Sequence, residues 1–302
     1  MRVGTVAGLA AALTIAACVT TDGGSMAPSA PNFAHNPTIG GMADLIVDAK
    51  QLATSWVIYE QVLKDNQCAL IEGGVEPGSF HRVLRMTVTT PNIGDGDIFL
   101  GDPAVHVAQN DGLYELSDCH HHWHFRNYAR YELVNPFTHQ TVQAKKRGFC
   151  MIDTTPWQHD DVSPGSWVYR SCGRPAIPAL GLDPIPGNQG ISVGWADQYY
   201  KWLGGQFFIL DDPNEFVAPG KWLLRVTVNP DFPCTQFDID HGRLRSDGKC
   251  HNFEESRYDN NVAEVLIDIP DHPGKTGFGP GGGQAAPDKD IVDDENRPGT
   301  SK

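Results

Sequence analysis

The sequence predicts an all-β chain: one sandwich-like domain with long loops and little helix. Three observations lead there. Short runs rich in β-branched and aromatic residues recur at about ten-residue spacing, the pattern of a sandwich built from many short strands. Pro, Gly, Asn and Asp, the residues that make turns, separate those runs. An amphipathic helical period is almost absent from the 302 residues.

Taken in order, Asp44–Ala49 and Ser55–Leu63 read as β-rich runs, and His81–Thr89 alternates as a half-buried strand should. Pro91-Asn-Ile-Gly-Asp-Gly96 marks a loop. A histidine-rich strand spans Ser117–Phe125, followed by Tyr131–Val134 and Thr141–Ala144 about Asn135-Pro136. Phe149–Asp153 reads as another apolar strand. Thr155–Asp197 changes character to Pro, Gly, Asp and Ser, with Trp157, Trp167 and Tyr169 as isolated anchors. A loop of that length inside a domain is either functional or pinned by crosslinks. Gln206–Leu210 and Lys221–Val228 resume strand patterning across a Pro-Gly turn, and Val262–Ile269 is the last strand.

The ends read differently. Arg2, the short apolar run Val6–Ile15 and Ile15-Ala-Ala-Cys18 form an export signal of the lipoprotein type, with Cys18 as the lipidated residue. An uncleaved membrane anchor would need a longer apolar run. The expected organisation is a signal over 1–18, a flexible tether over 19–40, the domain over 41–270 and a disordered tail over 271–302. The tail expectation rests on its Gly, Pro and charge content with almost nothing apolar. The protein is therefore expected to be exported, as an envelope lipoprotein or secreted, touching a membrane only through Cys18. Without Cys18, the cysteines are Cys68, Cys119, Cys150, Cys172, Cys234 and Cys250, an even set that favours disulfides outside the cytoplasm and leaves their connectivity open. The absence of a CxxC spacing argues against a zinc ribbon or a thioredoxin-like site. A net charge of −14 argues against nucleic acid and suits cationic ligands such as amines.

The chemistry concentrates in Cys119-His-His-His-Trp-His-Phe125. On a strand, His120, His122 and His124 would share one face, while His121 would point the other way. Three imidazoles suit copper or zinc and leave open coordination positions. A cupin-type site would want a Glu shortly after the second His, and Glu132 lies too far along.

These residues, with Asp44-Leu45, Phe149-Cys150, Gln189-Gly-Ile-Ser-Val-Gly-Trp-Ala-Asp-Gln-Tyr199, Pro219–Pro230 and Asp259-Asn-Asn-Val262, resemble the lysyl oxidase family. The resemblance runs from Asp44 to about Asp268. It implies copper(II) on His120, His122 and His124, and a lysine tyrosylquinone cofactor made from Lys146 and Tyr199. Lys145 and Tyr200 are the neighbouring alternatives. It further implies oxidative deamination of primary amines, peptidyl-lysine or related, by dioxygen to aldehyde, peroxide and ammonia. Asp197 is the candidate base. A non-catalytic surface copper-binding protein is the alternative, and a β-sandwich adhesion module that takes zinc opportunistically is a third. The same resemblance implies a calcium ion on Asp44, the Leu45 carbonyl, Glu255, Asn260 and Asn261, oxygen ligands of the hard type that calcium prefers. Arg257 stands where the family has an acidic ligand, with Asp259 as its replacement. It also suggests the disulfide Cys119–Cys172, with Cys234–Cys250 closing a local loop and Cys68–Cys150 as the pair then left over. Trp195 and Gly205 stand where the family carries a further crosslink, so the Thr155–Asp197 loop is expected to pack differently here.

Overall fold

Strands dominate because apolar residues alternate along them, and β13 (Gly220–Val228) shows this most plainly. Trp222, Leu224, Val226 and Val228 are buried while the residues between them are not. It pairs antiparallel with β14 (Val262–Ile269) on one side and β7 (Ala129–Val134) on the other; β8 (Thr141–Gln143) completes a four-stranded sheet. This computed structural model describes residues 41–63, 80–146, 148–157 and 167–287. The export signal, the tether, Cys18, Cys68 and the stretch 288–302 lie outside them.

The remaining strands form smaller antiparallel sheets. β1 (Val57–Val62), β2 (Phe80–Arg85) and β12 (Phe207–Ile209) make one, and β4 (Ile98–Gly101) pairs with β10 (Gln189–Ile191). β3 (Val88–Pro91) and β9 (Thr155–Pro156) flank β11 (Trp195–Tyr199), while β5 (Tyr114–Leu116) pairs with β6 (Trp123–Phe125). One apolar cluster takes side chains from all five sheets, among them Leu84, Val88, Ile98, Phe125, Tyr199 and Leu224. The described residues thus form an all-β single domain with three short α-helices.

Four expectations need correction. The run from Asp44 to Ala49 is not a strand: the Asp48 side chain accepts from Gln51 N–H and caps the helix Ala49–Ser55. His81–Thr89 is two strands in different sheets, β2 and β3. Phe149–Asp153 makes a single bridge, Phe149 to Phe125, and no strand. The stretch 271–287 is not disordered. Ile58 and Phe278 exchange backbone hydrogen bonds, and Gly277 and Gly279 lie so close to Val57, Tyr59 and Trp56 that a side chain on either would collide. Backbone hydrogen bonds, close glycine approach and the Phe278 ring against Trp56 dock this stretch.

The described part of the long loop, residues 167–197, is pinned by hydrogen bonds and a disulfide. Asp153, buried, accepts from the N–H groups of Val168, Tyr169 and Ser192 and from the Ser192 hydroxyl. Cys150 joins Cys172, and Cys234 joins Cys250. The last pair matches expectation. The other two expected pairs are wrong, since Cys150 takes Cys172 from Cys119; Cys119 is itself disulfide-bonded.

Candidate metal centre and its organic neighbours

The histidines converge by a turn, not by strand alternation. Only Trp123–Phe125 is strand, so His124 alone of the three stands on it. Upstream, Ser117 closes a tight loop: its N–H donates to His122 O, its carbonyl accepts from His121 N–H, and its hydroxyl accepts from His120 N–H. His121 sits in the left-handed region at φ 58, which reverses the chain between its neighbours. One possible ligand atom from each of His120, His122 and His124 falls within 4.8 Å of the others, the only such group of three or more His, Cys, Asp or Glu among the described residues. His120 Nδ1 lies 3.2 Å from His124 Nε2. Burial, then the charges of His122, Lys146 and His120, hold the His124 pKa far below the usual imidazole value. A neutral ring keeps the lone pair a metal needs, so the donor set fits a copper ion. Because the group is His120, His122 and His124 and leaves His121 out, His122→Ala should abolish copper retention. His121→Asn, which tolerates the left-handed backbone, should keep it. Metal analysis after dialysis decides; equal loss from both variants would refute this arrangement.

The segment carrying Lys146 crosses directly over His124. Phe125 N–H donates to Phe149 O at 2.6 Å, and Gly148 passes against the imidazole so closely that an added Cβ would overlap Nδ1 and Cγ. Sequence reasoning missed Gly148. Its only signal was a glycine between a basic turn and a core phenylalanine.

Lys146 Nζ lies 4.8 Å from the Tyr199 ring centroid and 5.6 Å from that of Phe149. Lys145 is turned elsewhere, its Nζ 3.2 Å from Asp212 Oδ2. Tyr199 is buried; its hydroxyl donates to Cys150 O at 2.7 Å and accepts from Cys150 N–H at 2.8 Å. Tyr200 lines a separate cleft with Tyr59, Lys201 and Trp202. Asp197, also buried, precedes Tyr199 by two residues on β11 and so shares its face; its charge reaches Tyr128 and Tyr131. A cleft of about 240 Å³ opens beside Lys146, lined also by Arg130, Tyr131, Gln143 and Asp231. The long loop meets this centre through hydrogen bonds instead of the expected Cys119–Cys172 bond. Trp123 N–H donates to Gly173 O, and the Gln189 amide donates to both Trp123 O and Cys172 O.

At the other expected ion site, Glu255 accepts from Leu45 N–H at 2.6 Å and from the amides of Asn229 and Asn261, while Asn260 donates to Asp44. Burial pushes the Glu255 pKa up to about 7 against those hydrogen bonds. The Oδ1 atoms of Asn229, Asn260 and Asn261 are buried without a hydrogen-bond partner, the condition a bound cation would relieve. Asn229 was not anticipated. Asp259, expected as a replacement ligand, instead pairs with Arg257 at the surface.

The lysyl oxidase family model matches residues 43–261 of this chain. The protein-lysine 6-oxidase of Homo sapiens is 25% identical over 218 residues, 68% of this chain and 45% of that protein. That of Gallus gallus is 24% identical over 218 residues, with the same coverage of each chain. Lysyl oxidase homolog 2 of Homo sapiens is 24% identical over 225 residues, 72% of this chain and 24% of that protein. The chain thus spans less than half the length of these relatives.

Proposed function

Because this chain belongs to the lysyl oxidase family, we propose that it oxidises primary amines, peptidyl-lysine or a related amine, to aldehydes. Amine, dioxygen and water would give aldehyde, ammonia and hydrogen peroxide in equal amounts. The observation that carries this reading is Lys146 Nζ poised 4.8 Å from the Tyr199 ring centroid, beside three clustered imidazoles. His120, His122 and His124 would hold copper(II), and Lys146 and Tyr199 would become lysine tyrosylquinone. When present, these groups supply dioxygen chemistry and a carbonyl electrophile.

The chain's own residues do the rest. The Cys150 backbone grips the Tyr199 hydroxyl and fixes the ring over which Lys146 Nζ stands. Asp197, on the same face of β11, takes the proton from the substrate carbon next to nitrogen. The cleft beside Lys146 would admit the amine, and Tyr199 itself is buried. Export with a lipidated Cys18 belongs to the same reading; among the described residues, no helix is long and apolar enough to cross a membrane.

Intact-mass analysis after aerobic copper loading, with peptide mapping, tests the pair. Wild type should carry a Lys146–Tyr199 crosslink, Lys145→Ala should retain it, and Lys146→Ala should lack both crosslink and peroxide release. Copper retention without a crosslink in wild type would favour the surface copper-binding alternative.

The proposal includes calcium on Asp44, the Leu45 carbonyl, Glu255, Asn260 and Asn261, supported by the orphaned amide oxygens. Calcium added to chelator-stripped protein at 100 times its Kd should add about 3 kcal/mol of stability. An unchanged melting temperature removes the site.

A further inference from the structure

The cleft that Tyr200 shares with Tyr59, Lys201 and Trp202 has a volume of about 250 Å³ and no lining residue in common with the cleft beside Lys146. Two of its residues carry hydrogen-bond donors that the described chain leaves unmet. Tyr59 is fully buried, and its hydroxyl has no hydrogen-bond partner. A buried hydroxyl in that condition costs stability that a phenylalanine would not cost. Lys201 carries three N–H donors and no acceptor. Among the described residues its Nζ meets one oxygen, Gly281 O at 2.8 Å, and the Trp202 ring, whose centroid lies 5.3 Å away.

The surroundings are positive and aromatic. The Arg85 guanidinium, wholly buried, stands 5.5 Å from the same Trp202 ring, and its Nη1 donates to Lys201 O. Burial pushes the Tyr59 pKa up, Arg85 opposes that and Tyr200 adds to it, so the three share one electrostatic environment. The Tyr59 and Trp202 rings lie 5.6 Å apart and make an apolar wall. Among the described residues, no carboxylate lines the cleft to answer the ammonium.

We propose that this cleft binds a small organic carboxylate, with Lys201 and the Tyr59 hydroxyl as its donors and the aromatic wall against its apolar body. An ammonium can only donate, so what meets it must accept, and an anion accepts most strongly. The flat rings suit a ligand that is apolar apart from its charged end. The site uses neither copper nor the Lys146–Tyr199 pair, so it stands or falls apart from the amine oxidase reading.

Benzoate is the probe, and benzyl alcohol is its uncharged counterpart. Calorimetric titration of the full-length protein should show one benzoate bound per chain and no binding of benzyl alcohol at the same concentration. Tyr59→Phe removes a hydroxyl that has no partner, so it should melt at or above wild type and bind benzoate about tenfold more weakly. Lys201→Gln should lose more, because the charge-assisted contact goes. The chain's own Asp288, Asp290, Asp293, Asp294 and Glu295 are a second source of the same chemistry. If they supply it, benzoate should bind only after all five are replaced by Asn or Gln. Benzoate bound by neither chain, or bound equally by wild type, Tyr59→Phe and Lys201→Gln, overturns the site.

Discussion

Replacing Gly148 by alanine should leave a folded chain that no longer holds copper. The methyl group would overlap Nδ1 and Cγ of His124, and that imidazole is buried. Two relaxations are open. The backbone at 148 lifts and loses the Phe125–Phe149 bridge, or the ring swings and carries Nε2 away from His120. Overpacking of this kind costs about 1–3 kcal/mol of stability. The effect on the metal is larger in kind, because ligand atoms must sit within a few tenths of an ångström of their places. Displacing even a residue that only supports a ligand costs roughly 10–100-fold in affinity, and here the ligand itself moves. Competitive titration with a copper chelator reads the loss; wild-type affinity in Gly148→Ala would mean the crossing is not as close as described.

Tyr199→Phe should reduce peroxide release from a primary amine to the uncatalysed background and eliminate the crosslink, since the oxidisable phenol is gone. The variant also strips Cys150 N–H and C=O of their partner. Leaving those two groups buried and unmet costs about 1–3 kcal/mol for each, so stability is measured alongside. A folded variant that retains copper but releases no peroxide separates the chemistry from the scaffold. Equal peroxide rates in wild type and Tyr199→Phe would remove the amine oxidase reading.

Much of the sheet was legible because burial on one face writes a period of two into the sequence. β13 and β14 show it, with eight register pairs between Gly220–Thr227 and Val262–Ile269. The histidine group was legible by residue type but not by conformation. A three-position spacing fits a strand, and nothing in Cys119-His-His-His declares that His121 will turn left-handed and break the alternation. The helix Pro103–Gln109 was missed because seven residues seldom establish a helical period; its cap, Asp102 accepting from Ala104 N–H with Pro103 at the first turn, was the available signal. Disulfide partners depend on which loops meet in space, so Cys150–Cys172 could not be read from spacing. Gly148 lay beyond reach for a different reason. Its importance is what it fails to do, leaving room for the His124 ring.

The grip on Tyr199 has a bearing on timing. Both backbone groups that hold its hydroxyl belong to Cys150, and Cys150 is covalently tied to Cys172 on the far side of the loop. Formation of that disulfide therefore braces the backbone that seats the phenol. A chain kept reduced lacks that brace, and a chain that has crossed into an oxidising space acquires it before its ring can be held rigidly. Under the proposed function, export and cofactor assembly would be successive stages on one clock, with the aromatic ring presented last.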